Sequence, residues 1–125
     1  MVTGIHHVSM KCGNMEDFRK AKAFYCEILG LPVWREWPEG ILIDIGNGFI
    51  EIFNNGDSEL RQGAIRHFAL SDTDVDATVE RVRQAGYEIL TGPKDISIKP
   101  EPGYPARIAF CAGTLGEQIE LFQVL

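Results

Sequence analysis

The sequence predicts an α+β fold built from two tandem βαβββ modules. One repeated pattern, seen in two copies, predicts it: a strand bearing His, an amphipathic helix stopped by Gly, and extended segments ending in a strand bearing Glu. The first copy opens on Ile5-His6-His7-Val8-Ser9-Met10 and closes on Phe49-Ile50-Glu51-Ile52-Phe53. The second opens on Ile65-Arg66-His67-Phe68-Ala69-Leu70 and closes on Gln118-Ile119-Glu120-Leu121-Phe122. Repeated units of this size pack to bury a joint core. The expected boundaries are about 1–57 for module one and about 64–125 for module two, together a single domain of residues 1–125.

The elements follow in order. Residues 5–12 read as a strand. Asn14 is positioned to cap a helix, with Asp17 at its third position on the favourable side of the dipole. Phe18, Ala21, Tyr25, Ile28 and Leu29 recur at helical spacing, which predicts one apolar face. Gly30 is the expected stop, and Leu31-Pro32-Val33 begins an extended segment. Ile41–Ile45 and Gly48–Phe53 flank Gly46-Asn47-Gly48, a hairpin signal. Asn54–Gly63 is polar and linker-like.

In the second copy residues 65–71 form the strand, and Thr73 with Asp76 offers a capping box with Asp in place of Glu. Val75, Val79 and Val82 make the helix stripe, and Gly86 ends it. Residues 87–90, 106–111 and 118–122 are the three remaining strands. The Pro- and Gly-rich stretch Gly92–Ala106 reads either as a lid over a site or as a plain long connection.

Composition excludes several functions. At 45% hydrophobic and 24% charged residues, the chain has ordinary globular content. A net charge of -6 with no basic stripe argues against nucleic acid. Arg19, Lys20 and Lys22 read as a solvated helix face. Cys12, Cys26 and Cys111 are odd in number and widely spaced, so they read as reduced thiols of a cytoplasmic protein. No apolar run approaches the ~20 residues of a membrane span, and Met1-Val2-Thr3-Gly4 leads straight into a strand, so no signal peptide is expected.

Strand alternation places His7 with Ile5 and Ser9, Glu51 with Phe49 and Phe53, His67 with Ile65 and Ala69, and Glu120 with Gln118 and Phe122. His6 points the other way and has Arg66 as its counterpart, which reads as structural or surface. A carboxylate in a half-buried strand is costly unless partnered. If helices cover one side of each sheet, the other side can curl into a cup holding His7, Glu51, His67 and Glu120 around one metal ion. Two imidazoles and two carboxylates without thiolate suit Ni²⁺, Co²⁺, Zn²⁺, Mn²⁺ or Fe²⁺, and in an octahedral shell they leave two positions for water or for two vicinal oxygens of a substrate. A closed structural zinc would more typically use Cys.

These residues resemble the vicinal oxygen chelate superfamily, which includes glyoxalases, bleomycin resistance proteins and extradiol dioxygenases. Its fold is two βαβββ modules forming a cup around a divalent metal. The set His7, Glu51, His67, Glu120 is similar to the ligands of short microbial-type glyoxalase I. Phe24-Tyr25 followed by Leu29-Gly30-Leu31 resembles that family's helix end, Ile65–Leu70 its second metal strand, and Ile119-Glu120-Leu121 its last. Two stretches depart from the family pattern, neither touching a ligand. Ala112–Gly116 replaces the usual Asp-Pro-Asp-Gly turn, and Gly13–Lys22 is slightly longer.

The resemblance implies a lyase that detoxifies methylglyoxal. It converts the hemithioacetal of methylglyoxal and glutathione into the 2-hydroxyacyl thioester by proton transfer through an enediolate. It implies nickel or cobalt ahead of the other ions, Glu120 as the first choice of base with Glu51 a ligand able to share that role, and Asn55 and Lys11 as substrate contacts. A homodimer is expected because symmetric dimers are the commonest assembly. Trp34 and Trp37 read as pocket wall or dimer surface. Rival readings are an acyl-CoA epimerase, a dioxygenase, a thiol transferase and a non-catalytic small-molecule binder. The epimerase usually carries Gln at the place of Glu51, the next two need only three ligands, and the last needs no metal.

Overall fold

Each half of the chain folds around its own four-stranded mixed sheet. The computed structural model describes residues 1, 3–56 and 64–125, in two units, Met1–Arg61 and Gln62–Leu125. Of the expected linker 54–63, residues 57–63 lie outside the described residues.

The first unit runs β1 (His7–Lys11), α1 (Met15–Ala23), β2 (Val33–Trp37), β3 (Gly40–Asp44) and β4 (Phe49–Phe53). The second runs β5 (Phe68–Ser71), α2 (Val75–Gln84), β6 (Ile89–Ile98), β7 (Tyr104–Ala112) and β8 (Gln118–Val124). The strand orders are β1-β4-β3-β2 and β5-β8-β7-β6. In both, the first strand lies parallel to the last while the other pairs are antiparallel. The fold is thus the α+β tandem βαβββ arrangement that the sequence predicts.

Local chemistry sets the helix ends. Asn14 accepts from the Asp17 backbone N–H at 2.8 Å and donates its amide to Asp17 Oδ2 at 3.0 Å. That closes the first turn of α1. The apolar periodicity of 18–29 predicts one uninterrupted helix, but α1 passes into a π-type turn at Phe24–Ile28. Leu29 N–H reaches back to Phe24 O at 3.0 Å. The wider turn admits one extra residue, so the adjacent Phe24 and Tyr25 are both fully buried. Gly30, at φ 72°, then ends the segment in the left-handed conformation that a side chain would resist. In α2 the cap is one residue later than expected. Asp74, not Thr73, accepts from the Ala77 N–H at 3.0 Å. Val75, Val79 and Val82 are buried as predicted.

The largest correction concerns Gly92–Ala106, which is neither lid nor irregular connection. β6 continues to Ile98 and pairs with β7 from Tyr104, leaving only residues 99–103 as the turn. Gly92 and Pro93 are absorbed in a register irregularity between Thr91 and Lys94. A bulge is where a strand tolerates those two residues.

Alternation then sorts each sheet into two faces. In the first unit Met10, Ile41, Ile43, Ile50 and Ile52 are buried, and with Phe18, Ala21, Phe24 and Tyr25 they make its core. In the second, Val75, Val79, Ala109 and Leu121 form one cluster with Ile89 against it. Each fully buried aliphatic side chain is worth roughly 1.5–3 kcal/mol relative to exposure. The opposite faces carry Glu51 and Glu120.

Candidate metal centre

In the first unit, register brings the pair together. β1 and β4 align Ser9 with Glu51, so His7, Ser9 and Glu51 share the face opposite Ile50 and Ile52. His7 Nε2 lies 3.6 Å from Glu51 Oε1, and the Ser9 hydroxyl donates to that same oxygen at 2.9 Å. The Glu51 side chain is only 17% exposed and His7 40%. His6 and His7 place their Nδ1 atoms 3.0 Å apart, so one ring donates and the other accepts. For His7 to present an Nε2 lone pair, its Nδ1 must carry the proton and donate to His6.

The second unit repeats the register, aligning Ala69 with Glu120. His67 stands just before β5, where the sequence expects it within the strand. Its Nε2 lies 3.1 Å from Glu120 Oε2, with side chains 39% and 12% exposed. Phe110, the antiparallel neighbour of Glu120, meets the His67 ring edge-on at 5.1 Å between centroids. Ala69 offers no hydroxyl, so Glu120 lacks the anchor that Ser9 gives Glu51.

Each sheet thus gathers one imidazole and one carboxylate. Among the described residues, no three or more His, Cys, Asp or Glu side chains are grouped as one ion would require. The donor chemistry of each pair nonetheless fits a divalent ion. With metal–nitrogen and metal–oxygen bonds of about 2.0–2.2 Å, neighbouring ligands stand about 3.0–3.4 Å apart. Separations of 3.1 and 3.6 Å need little adjustment to reach that.

The expected substrate contacts lie on or near the same face. Lys11 follows Ser9 along β1, with its ammonium 5.5 Å from the Phe53 ring centre. Gly56 leaves room for its stem, since a Cβ there would stand 2.6 Å from Lys11 Cβ. Asn55 is exposed in the bend after β4, whereas Asn54 is tied down by donating to Pro38 O at 2.8 Å. Aromatic rings flank the pair, Trp34 against Phe49 at 5.1 Å and Trp37 against Phe53 at 5.8 Å.

All three cysteines are free. Burial, aided by the Glu117 charge, pushes the Cys111 thiol up to about 11. Burial likewise raises Cys12 and Cys26. These shifts favour the neutral thiol over the nucleophilic thiolate.

A family model described as the glyoxalase/bleomycin resistance protein/dioxygenase superfamily matches residues 4–111. The chain belongs to this superfamily. Superfamily members commonly use a divalent metal ion. The YwkD protein of Bacillus subtilis is 30% identical over 100 residues, covering 70% of this chain and 76% of that protein. Three solved superfamily-like structures share the fold. A glyoxalase family protein of Bacillus anthracis aligns at TM-score 0.76 and 20% identity, over 100% of this chain and 98% of that one. The fosfomycin resistance protein FosX of Listeria monocytogenes aligns at 0.74 and 20%, over 100% and 96%. A lactoylglutathione lyase of Agrobacterium tumefaciens aligns at 0.69 and 16%, over 98% and 95%. At such identities the likeness extends to the fold alone. Among the described residues no helix is long and apolar enough to cross a membrane.

Proposed function

We propose that this chain is a divalent-metal-dependent lyase of the glyoxalase I type. It rearranges the hemithioacetal of a 2-oxoaldehyde and a thiol, methylglyoxal with glutathione or a similar thiol, to the 2-hydroxyacyl thioester. The observation that carries the reading is the matched pair in each half, His7 with Glu51 and His67 with Glu120, at 3.6 and 3.1 Å. On this reading His7, Glu51, His67 and Glu120 are ligands for a divalent ion, Ni²⁺ or Co²⁺ ahead of Zn²⁺, Mn²⁺ or Fe²⁺.

An ion so held would supply Lewis acidity to the substrate. The chain's own work is proton transfer. Glu120 takes the proton from the carbon bearing sulfur and delivers it to the adjacent carbonyl carbon. One C–H bond breaks and another forms, the hydroxyl proton passes from the oxygen on the sulfur-bearing carbon to the neighbouring oxygen, and no external oxidant or reductant is needed. Glu51, hydrogen-bonded by Ser9, serves as the fixed ligand. Lys11 is positioned to attract a carboxylate of the thiol, with Asn55 as a second polar contact. The same reading makes the protein a cytoplasmic homodimer that detoxifies methylglyoxal. The thiol-transferase reading needs one carboxylate fewer than this chain presents.

The test is direct. Metal-stripped protein is reloaded with each ion, and bound metal per chain is measured beside thioester formation from methylglyoxal and glutathione. The expected outcome is one ion per two His–Glu pairs with turnover that depends on it. Tight metal binding without turnover of any hemithioacetal ends the glyoxalase reading and leaves the centre standing.

A further inference from the structure

The two pairs share one backbone register but differ in what stands beside the carboxylate. We infer that Ser9 is a positioning residue that locks Glu51 in its ligating rotamer, a role for which the second half has no equivalent. The inference rests on the metal reading above and adds to it the residue that gives Glu51 a hydroxyl anchor that Glu120 lacks.

The parallel alignment of β1 with β4 sets Ser9 directly across from Glu51, as that of β5 with β8 sets Ala69 across from Glu120. At the first position the hydroxyl donates at 2.9 Å to Oε1, the oxygen that also faces His7. A hydroxyl–carboxylate bond is charge-assisted and directional. It removes torsional freedom from a side chain that otherwise rotates about three bonds. It also leaves the second lone pair of that oxygen for an ion, so the bond and ligation are compatible. Outer hydrogen bonds of this kind commonly change metal affinity by about 10–100-fold.

Ser9 is exposed and lies on a face that is not core, and the repeat already places Ala at the matching position. Substitution there leaves the fold intact, which makes the test clean. The intact chain is stripped with a chelator and titrated with Co²⁺, following both the dissociation constant and the visible absorption of the bound ion. Ser9→Ala is expected to bind Co²⁺ about 10-fold more weakly, with an altered spectrum. Ser9→Thr, which keeps the hydroxyl, is expected to restore both to within about 3-fold.

If Ser9→Ala binds Co²⁺ like the unaltered protein and with the same spectrum, the role of Ser9 is overturned while the metal centre stands. If Ser9→Ala weakens binding and Ser9→Thr fails to rescue it, the hydroxyl is not the cause and the inference fails as well. Should the unaltered protein take up no Co²⁺, the centre and the inference fall together.

Discussion

The His7–Glu51 and His67–Glu120 pairs arise from the same local geometry and yet are supported differently. In the first, Ser9 holds the carboxylate and His6 faces the imidazole. In the second, Ala69 and Arg66 occupy those places, and an aromatic edge from Phe110 meets the imidazole instead. The repeat therefore dictates where the paired His and Glu side chains stand, through strand pairing that is the same in both halves. The surrounding polar groups have no such constraint and can diverge. A division of labour between two identical carboxylates becomes possible without changing the backbone.

The difference can be broken most forcefully at the carboxylates. Glu120→Gln is expected to lower kcat about 10³-fold, a loss that saturating Co²⁺ does not repair, because general-base catalysis supplies about 10²–10⁴. Glu51→Gln is expected to weaken Co²⁺ binding by at least about 10-fold and to regain activity as the ion is raised. Equal rescue of both variants by metal would erase the distinction between them.

A gentler test gives the second pair what the first one has. In Ala69→Ser the new hydroxyl stands across from Glu120 as Ser9 stands across from Glu51. Anchoring the proposed base should cut kcat about 10-fold without weakening Co²⁺ affinity. Steady-state kinetics with the substituted protein showing no fall in kcat would mean that Glu120 needs no freedom to act.

The smallest expected effect separates the halves by acid stability. Arg107 of β7 hydrogen-bonds both Asp76 at the start of α2 and Asp95 of β6. The Arg107 hydrogen bonds hold the Asp76 carboxyl below its ordinary value of 3.8. A depressed native value means that the unfolded chain takes up the proton first. The stabilisation is therefore present above the ordinary carboxylate value and is lost as pH falls through the lowered native one. Thermal midpoints taken from about pH 5 down to about pH 3 should fall further for the unaltered protein than for Asp76→Asn. Because Asp76 is exposed, the difference is small, and parallel curves would assign the acid response elsewhere.

Much of the fold was legible in the sequence, for reasons that are local. Asn14 and Asp17 form a cap because three residues suffice to make one, and Val75, Val79 and Val82 mark a buried stripe because helical spacing is short-range. The π-type turn at Phe24–Ile28 was not legible, since Ile28 and Leu29 continue the helical pattern to the eye while the chain needs both Phe24 and Tyr25 inside. Gly92–Ala106 misled because Gly and Pro suggest a loop, whereas Ile96, Ile98, Tyr104 and Ala106 pair across a hairpin whose bulge takes up Gly92 and Pro93. At the candidate site, alternation put Ser9 on the His7 face. Its bond to Glu51 depends on the parallel register between distant strands, which no window of sequence contains.

That parallel pairing also governs when the centre comes into being. In the first half the His opens the first strand, in the second it immediately precedes it, and in both the Glu lies on the last strand, its neighbour in the sheet. Neither pair exists until the whole module has been threaded and its outermost segments have met. Contacts of such long sequence separation are the late and slow events of folding. Co²⁺ added during refolding should accordingly be captured only as the last strand docks, so metal uptake would time the completion of each module.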